Sequence, residues 1–135
     1  MYGPIIFSTH RMIKTTTFTD GQYITGFAEF LINIGDSFTL SDGIFTAPRN
    51  GIYEFSASFY HGDSANVLAV VRNSEQVLRF RDNGGTGTGS IDYNTLTFNW
   101  IMKLQRGDKI QLQVAEGTFY CDNGNQNCIF NGKII

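Results

Sequence analysis

The chain has 135 residues, of which 41% are apolar and only 16% are charged, and its formal net charge is −2. A negative chain argues against nucleic acid as a partner, because phosphate neutralisation needs clustered Lys and Arg, and no apolar run approaches the roughly 18 residues of a membrane span. Ordinary soluble domains carry about 25% charged residues, so the low charge indicates that copies of the chain cover part of its surface.

Strand signals recur every ten residues or so, and no stretch of useful length has helical periodicity. The predicted strands of the first half begin at Ile5 and then cover residues 27–34, 38–40 and 51–60. In the second of these, Ala28, Phe30, Ile32 and Ile34 are predicted to share one face. In the fourth, strict alternation places Tyr53, Phe55, Ala57 and Phe59 on one face.

The second half continues the pattern. Residues 67–71 are apolar at every position, so both faces of that strand are expected to be covered. A hairpin turn follows at Asn73-Ser74-Glu75, and residues 82–90, with four glycines and no apolar residue, are predicted to be a loop. The strand over 95–104 alternates most clearly, with Leu96, Phe98, Trp100, Met102 and Leu104 facing one way. Eight to ten such strands in a single domain over 1–135 fit an all-β, two-sheet antiparallel jelly roll, although periodicity alone does not distinguish a jelly roll from other sandwiches.

Cys121 and Cys128 are the only cysteines, and they enclose a polar, turn-rich loop. We predict that they form a disulfide, which contributes roughly 2–3 kcal/mol by restricting the unfolded chain and requires an oxidising compartment. The alternative is a pair of free thiols in a cytosolic protein. Zinc is disfavoured, since two sulfurs are too few ligands for it.

The segment from Gly43 to Phe55 carries the pattern Gly-x-Phe-x-x-Pro-x-x-Gly-x-Tyr-x-Phe. Its fixed positions are Gly43, Phe45, Pro48, Gly51, Tyr53 and Phe55. This pattern resembles the signature of the complement C1q globular-head family, within the C1q/tumour-necrosis-factor-like superfamily. Segments 70–77, 102–112 and 119–132 are similar to further family motifs in the same order, although Ser74 replaces the usual hairpin glycine. The cysteine pair is not a general feature of the family.

The resemblance implies a homotrimer of jelly rolls in which each chain buries one open sheet face against its neighbours. Residues opposite the core stripe of their strands would form that interface, and our candidates are Ile52, Tyr60 and Ile101. The alternative is that these are isolated exposed apolar residues, which are common on monomers.

The resemblance also implies a candidate metal site. Some family members bind calcium through acids in the loop that matches residues 82–92, which makes Asp82 and Asp92 the metal candidates. Calcium needs about six to eight oxygen ligands, and the alternative is that both acids are simply solvated. His10 and His61 belong to no recognisable catalytic motif, so we do not expect an enzyme.

The loop between the cysteines is the candidate ligand site. The ring of Tyr120 offers a face for the C–H side of a sugar, and carboxylate and amide groups can bond its hydroxyls. These polar candidates are Asp122, Asn123, Asn125 and Asn127. The alternative is that Asn and Gly here only form turns. The triplet Arg106-Gly107-Asp108 could mimic an integrin ligand, but it coincides with the Gly-Asp turn of the family.

Our first functional hypothesis is a secreted, homotrimeric, lectin-like recognition module of innate immunity. It would bind microbial or cell-surface glycans through its loops, with calcium as a candidate cofactor. The alternatives are a cytokine-like ligand for a cell-surface protein receptor and a trimerisation module of a longer protein.

Overall fold

A computed structural model describes residues 3–62, 64–84, 94–124 and 128–135. Within these residues the chain forms twelve strands and no helix. In chain order the strands are β1 Ile6–Met12, β2 Thr16–Thr19, β3 Phe27–Ile34, β4 Phe38–Thr39, β5 Ile44–Thr46, β6 Gly51–His61, β7 Ser64–Arg72, β8 Glu75–Gly84, β9 Asn94–Leu104, β10 Lys109–Glu116, β11 Thr118–Cys121 and β12 Ile129–Ile134.

The strands form two antiparallel sheets. The seven-stranded sheet has the order β2-β11-β6-β12-β1-β3, with β9 paired to β6, and the five-stranded sheet has the order β4-β5-β10-β7-β8. This arrangement confirms the predicted two-sheet jelly roll. The alternation did not predict three short strands. β2 and β11 have four residues each and pair with one another, and β5 has three residues and pairs with β4 and β10.

The core lies between the sheets and is rich in aromatic rings. Phe7 of the seven-stranded sheet stacks on Phe38 of the other sheet with ring centroids 4.3 Å apart. Phe45 meets Phe55 edge-on across the same gap, at 5.2 Å. Such pairs contribute about 0.5–1.5 kcal/mol each beyond the burial of apolar area. The inward residues predicted for β6 are buried, as are four of the five predicted for β9.

Gly132 explains why β12 can run between β1 and β6. A Cβ atom at this position would lie 2.6 Å from Cε1 of Phe7 and 2.7 Å from Cδ1 of Phe55, rings on the two flanking strands. Neither ring can withdraw from the packed core without opening a void. The position therefore requires a residue without a side chain.

The strand β7 is covered on both faces, as its composition predicted. Residues 67–71 are all at most 4% exposed, and Leu68 belongs to the core between the sheets. On the opposite face, Val67 is flanked by Arg81 of β8 and Glu116 of β10. Arg81 Nη2 and Glu116 Oε2 are 3.3 Å apart, so this ion pair reaches across β7 over Val67. The aliphatic parts of the two side chains therefore shield Val67 from solvent.

The prediction for β3 is wrong at its second half. The register with β1 shifts between Ser8 and Thr9, which places Leu31 in a β-bulge. Phe30 therefore lies opposite the buried Thr9 and packs on the core, whereas Ile32 lies opposite Ser8 and is 38% exposed. The bulge turns Ile32 and Ile34 to the outer face of the seven-stranded sheet.

The hairpin between β7 and β8 turns at Asn73 and Ser74, whose φ angles are 51° and 72°. Two consecutive positive φ angles define a type I′ turn, which favours Asn at the first position and Gly at the second. Asn73 also fixes the neighbouring turn, because its Nδ2 donates to Asp108 Oδ1 at 3.0 Å and its Oδ1 accepts from the N–H of Lys109 at 2.9 Å.

We expect Ser74→Gly to stabilise the protein by about 0.5–1 kcal/mol, because a left-handed backbone strains any residue with a Cβ atom. Asn73→Gly is the matched variant: it tolerates the same φ but loses both side-chain hydrogen bonds, so it should destabilise by about 1 kcal/mol or more. Urea denaturation measures both. Shifts of the two midpoints in the same direction would contradict this account of the turn.

Candidate functional site

The structure brings the predicted loop candidates to one end of the sandwich. β6 ends at His61, which pairs with Phe119 of β11, and β12 begins at Ile129, opposite Ser58 near the same end of β6. Asp82 of β8 pairs with Asn66 near the start of β7. We call this end the rim; its described residues are 61–62, 64–66, 82–84 and 117–124.

The predicted disulfide is present at the rim. Cys121 and Cys128 are bonded and both are buried. The loop leaving Cys121 is anchored by the N–H of Met12, which donates to the carbonyl oxygen of Asp122 at 3.0 Å. Asp122 Oδ1 accepts from the N–H of Gly124 at 2.9 Å, which closes a turn around the exposed Asn123. The candidates Asn125 and Asn127 lie outside the described residues.

Tyr120 lies beside this loop but is only half exposed. Its ring packs against the backbone at Gly62, where a Cβ atom would come within 3.2 Å of Tyr120 Cε2. Because Phe119 and Cys121 point into the core, Tyr120 points to the outer face of the seven-stranded sheet. A ligand would therefore meet one part of this ring rather than a fully open face.

The rim also contains a buried polar network that the sequence analysis missed. His61 is completely buried, with Nε2 2.8 Å from Asp82 Oδ2 and Nδ1 2.7 Å from the carbonyl oxygen of Gly62. The Asp82 carboxylate is an acceptor, so the Nε2–H of the ring donates to it. Asn66 lies against Nδ1 of the ring, at 3.0 Å, and its Oδ1 accepts from the N–H of Thr118 at 2.8 Å. The network joins β6, β7, β8 and β11.

A sequence signal for this network did exist. His61 occupies the next inward position after Tyr53, Phe55, Ala57 and Phe59 in the alternation of β6. A histidine at an inward position must find hydrogen-bond partners inside the protein, because unpaired buried polar groups are destabilising.

Only one of the two predicted metal ligands lies among the described residues. Asp82 is described, but one of its carboxylate oxygens already bonds His61, and Asp92 lies outside the described residues. No group of three or more His, Cys, Asp or Glu side chains in the described ranges is placed to hold a metal ion. Of the two predicted metal ligands, only the carboxylate of Asp82 is among the described residues. One carboxylate does not by itself fit the six to eight oxygens that calcium needs.

The Arg106-Gly107-Asp108 triplet forms a turn at the end opposite the rim. Asp108 accepts from Asn73 Nδ2 at one oxygen and from the N–H of Gln105, at 2.9 Å, at the other. These two hydrogen bonds hold the pKa of the Asp108 carboxyl below its usual value, and the bond from Asn73 has the larger effect. A carboxylate engaged at both oxygens fits the structural interpretation of this turn rather than an integrin ligand.

The outer face of the seven-stranded sheet carries the predicted interface residues. Ile52 is 50% exposed and Ile101 is 60% exposed, and they are diagonal neighbours on β6 and β9, because Ile52 pairs with Lys103. Tyr60 is half-buried on the same face. Two further exposed residues of this face, Ile32 and Ile34, were not among the candidates because the bulge in β3 was not predicted.

A polar row crosses the middle of this face. Ser8 Oγ donates to Asn131 Oδ1 at 2.6 Å, and Asn131 Nδ2 donates to Ser56 Oγ at 3.2 Å. Lys133 and Glu54 form an adjacent ion pair of 3.6 Å. These groups line a shallow groove of about 390 Å³ between the exposed isoleucines.

The two-sheet antiparallel jelly roll is the fold of the C1q/TNF-like class. The C1q domain model matches residues 6–135. The chain therefore belongs to the C1q domain family. Domains of this class are non-enzymatic, form homotrimers that bind receptors or ligands, and are typically extracellular in C1q proteins. In the described part of the chain, no helix has the length and apolarity to cross a membrane.

Three comparisons illustrate the likeness. The chain is 27% identical over 109 residues to bovine protein HP-25 homolog 2, covering 81% of this chain and 48% of the relative, so it spans about half the length of that curated relative. Its fold is similar to the globular domain of zebrafish complement 1qA, with a TM-score of 0.73, 21% identity and 97% of each chain covered. It is also similar to Eiger TNF from S. frugiperda, with a TM-score of 0.80, 11% identity, and 99% of this chain and 94% of that chain covered.

We expect Asp82→Asn to destabilise the protein by about 1–3 kcal/mol, because it removes the charge that pairs with the buried His61 ring. Chemical denaturation at neutral pH measures the change. Asp42→Asn is the matched control, since Asp42 is an exposed aspartate in the turn between β4 and β5 and is not part of the His61 network. Equal stability of the two variants would show that the His61–Asp82 contact contributes little.

Proposed function

We propose that this protein is a secreted recognition module that acts as a homotrimer assembled on the outer face of its seven-stranded sheet. One observation carries this proposal: four isoleucines of that face are between 38% and 60% exposed. They are Ile32, Ile34, Ile52 and Ile101. Covering the exposed part of each side chain would contribute on the order of 1 kcal/mol per residue.

The polar row supports the same arrangement. Ser8, Asn131 and Ser56 already bond one another within one chain, and Ser58 Oγ lies 3.1 Å from Thr97 Oγ1 on the same face. Polar groups that are satisfied internally can be buried at an interface without losing their hydrogen bonds. These hydroxyl and amide groups can therefore be covered by other copies with little penalty.

We expect the wild-type protein to sediment at about three times its 15.1 kDa chain mass. Ile101→Lys should shift micromolar protein to the monomer, because an unpaired ammonium would be buried at the contact. Ile13→Lys is the control: Ile13 is 63% exposed but lies beyond the end of β1, outside this face. A folded wild-type protein at the single-chain mass would overturn the trimer.

We infer that the target is a glycan on a microbial or host cell surface, bound at the rim as part of innate immune recognition. The support is the chemistry of the loop: the exposed amide of Asn123 can donate and accept, and the partly exposed Tyr120 precedes it by three residues. The disulfide and the Met12–Asp122 hydrogen bond hold the start of the loop in place, which reduces the ordering cost of binding. Three such sites in one trimer raise the avidity of weak binding.

Calcium assistance stays a prediction. Among the described residues Asp82 alone represents the candidate site, so any further ligands would come from Asp92 and from water or backbone oxygens. The proposed glycan recognition therefore does not depend on calcium, and a chelator tests whether calcium contributes to it.

A glycan array probed with and without a chelator tests these inferences. Asn123→Ala should weaken the bound signal, since one lost hydrogen-bonding group is worth about 1 kcal/mol, or roughly fivefold, per site. Asn33→Ala is the matched control, because Asn33 is exposed on β3 away from the rim.

Glycan signals that the chelator abolishes would support calcium, and signals that it leaves unchanged would rule calcium out. A silent array combined with saturable cell binding that protease treatment of the cells removes would favour a protein receptor instead.

A further inference from the structure

The end opposite the rim is built from three turns that hydrogen bonds tie together. The N–H of Arg106 donates to Asn50 Oδ1 at 2.7 Å, and the N–H of Gly107 donates to the carbonyl oxygen of Ala47 at 2.8 Å. The N–H of Asn73 donates to the carbonyl oxygen of Lys109 at 3.0 Å. We call this end the base; it comprises residues 46–51, 72–75 and 103–109.

The base is rich in positive charge, although the whole chain has a net charge of −2. It holds five of the ten Lys and Arg residues of the protein. They are Arg49, Arg72, Lys103, Arg106 and Lys109. The acids within the base are Glu75 and Asp108. Asp36 is counted with them because it precedes Ser37, whose carbonyl oxygen accepts from the N–H of Thr46 in the base. Counting these three acids, the base carries +2, and the rest of the chain, with five cations and nine acids, carries −4.

Most of these cations are available to a partner. Lys103, Arg106 and Lys109 are exposed, and in the described ranges neither they nor Arg72 forms an ion pair within 4.0 Å. Asp108 forms no ion pair within 4.0 Å with these cations, but it lines the same groove as Arg72 and Lys103, and its charge offsets part of the positive charge of the base. An open groove of about 440 Å³ runs between Arg72 and Lys103.

The distribution of these charges indicates the kind of partner. The cations are spread over three turns and do not converge on one enclosed pocket, which suits a polymer with many anionic groups better than a single small anion. The base residues include no aromatic side chain, so the platform that stacks the bases of single-stranded nucleic acid is missing. An extracellular polymer whose charge lies on sulfate groups fits both observations.

We propose that the base binds sulfated polysaccharide, separately from recognition at the rim. Binding would tether the module to cell-surface or matrix glycosaminoglycan while the opposite end stays open to its target. The interaction would be electrostatic, because each ammonium or guanidinium releases a counterion from the polymer, so affinity must fall as salt rises.

Surface plasmon resonance on immobilised heparin, at several NaCl concentrations, tests this proposal. Arg106→Gln/Lys109→Gln removes two base cations that lie away from the proposed trimer face. It should weaken binding about tenfold at 0.15 M salt and reduce the slope of log affinity against log salt by about 2. The control Lys14→Gln/Arg79→Gln changes the net charge equally outside the base and should change affinity less than about threefold.

Two more variants keep the test decisive. Arg106→Lys/Lys109→Arg preserves both charges and should retain heparin binding, which separates lost charge from damage to the turns. Asn123→Ala should also retain it, since the rim is at the other end. The proposal is overturned if the wild-type protein does not bind heparin at 0.15 M salt, if the control variant loses as much affinity as the base variant, or if single-stranded DNA competes as well as soluble heparin.

Discussion

The strict alternation of β6 is the constraint on which the rest of the structure depends. β6 pairs along its whole length with β9 and over six residues with β12, so its two faces set the two faces of the larger sheet. The inward face places Tyr53 and Phe55 against Phe45 of the other sheet, and the outward face presents Ile52. A slip of one residue would exchange these faces, which the packed core forbids. Core and interface are therefore fixed by the same strand.

The alternation also explains how the rim is organised. At its last inward position β6 carries His61 in place of an apolar residue, and the buried ring recruits Asp82 and Asn66. Through Asn66 the network reaches the N–H of Thr118 at the start of β11, the strand that ends in the disulfide. The rim thus combines a polar cluster, a covalent bond and a packed Tyr120. Loops held at several points can present a defined surface to a ligand.

The two ends of the sandwich differ in chemistry. The rim carries amide and carboxylate groups on a cross-linked loop, whereas the base carries a group of cations on turns joined by hydrogen bonds. The outer face of the larger sheet lies between them and offers isoleucines to other copies. Rim recognition, trimer formation and attachment at the base would consequently use largely separate surfaces, with Lys103 at the boundary between the base and the outer face.

Alternation and turn residues in the sequence determined a β sandwich, the inward faces of β6 and β9, the double coverage of β7 and the pairing of the two cysteines. These features follow from local periodicity and from the chemistry of a short polar loop, and the motif resemblance selected the jelly roll among sandwiches. Only the tertiary structure decided the bulge at Leu31, the partners of His61 and the gathering of cations at the base. Each of these depends on which strands become neighbours, and residues as distant as Asn50 and Arg106 meet only after the sheets have formed.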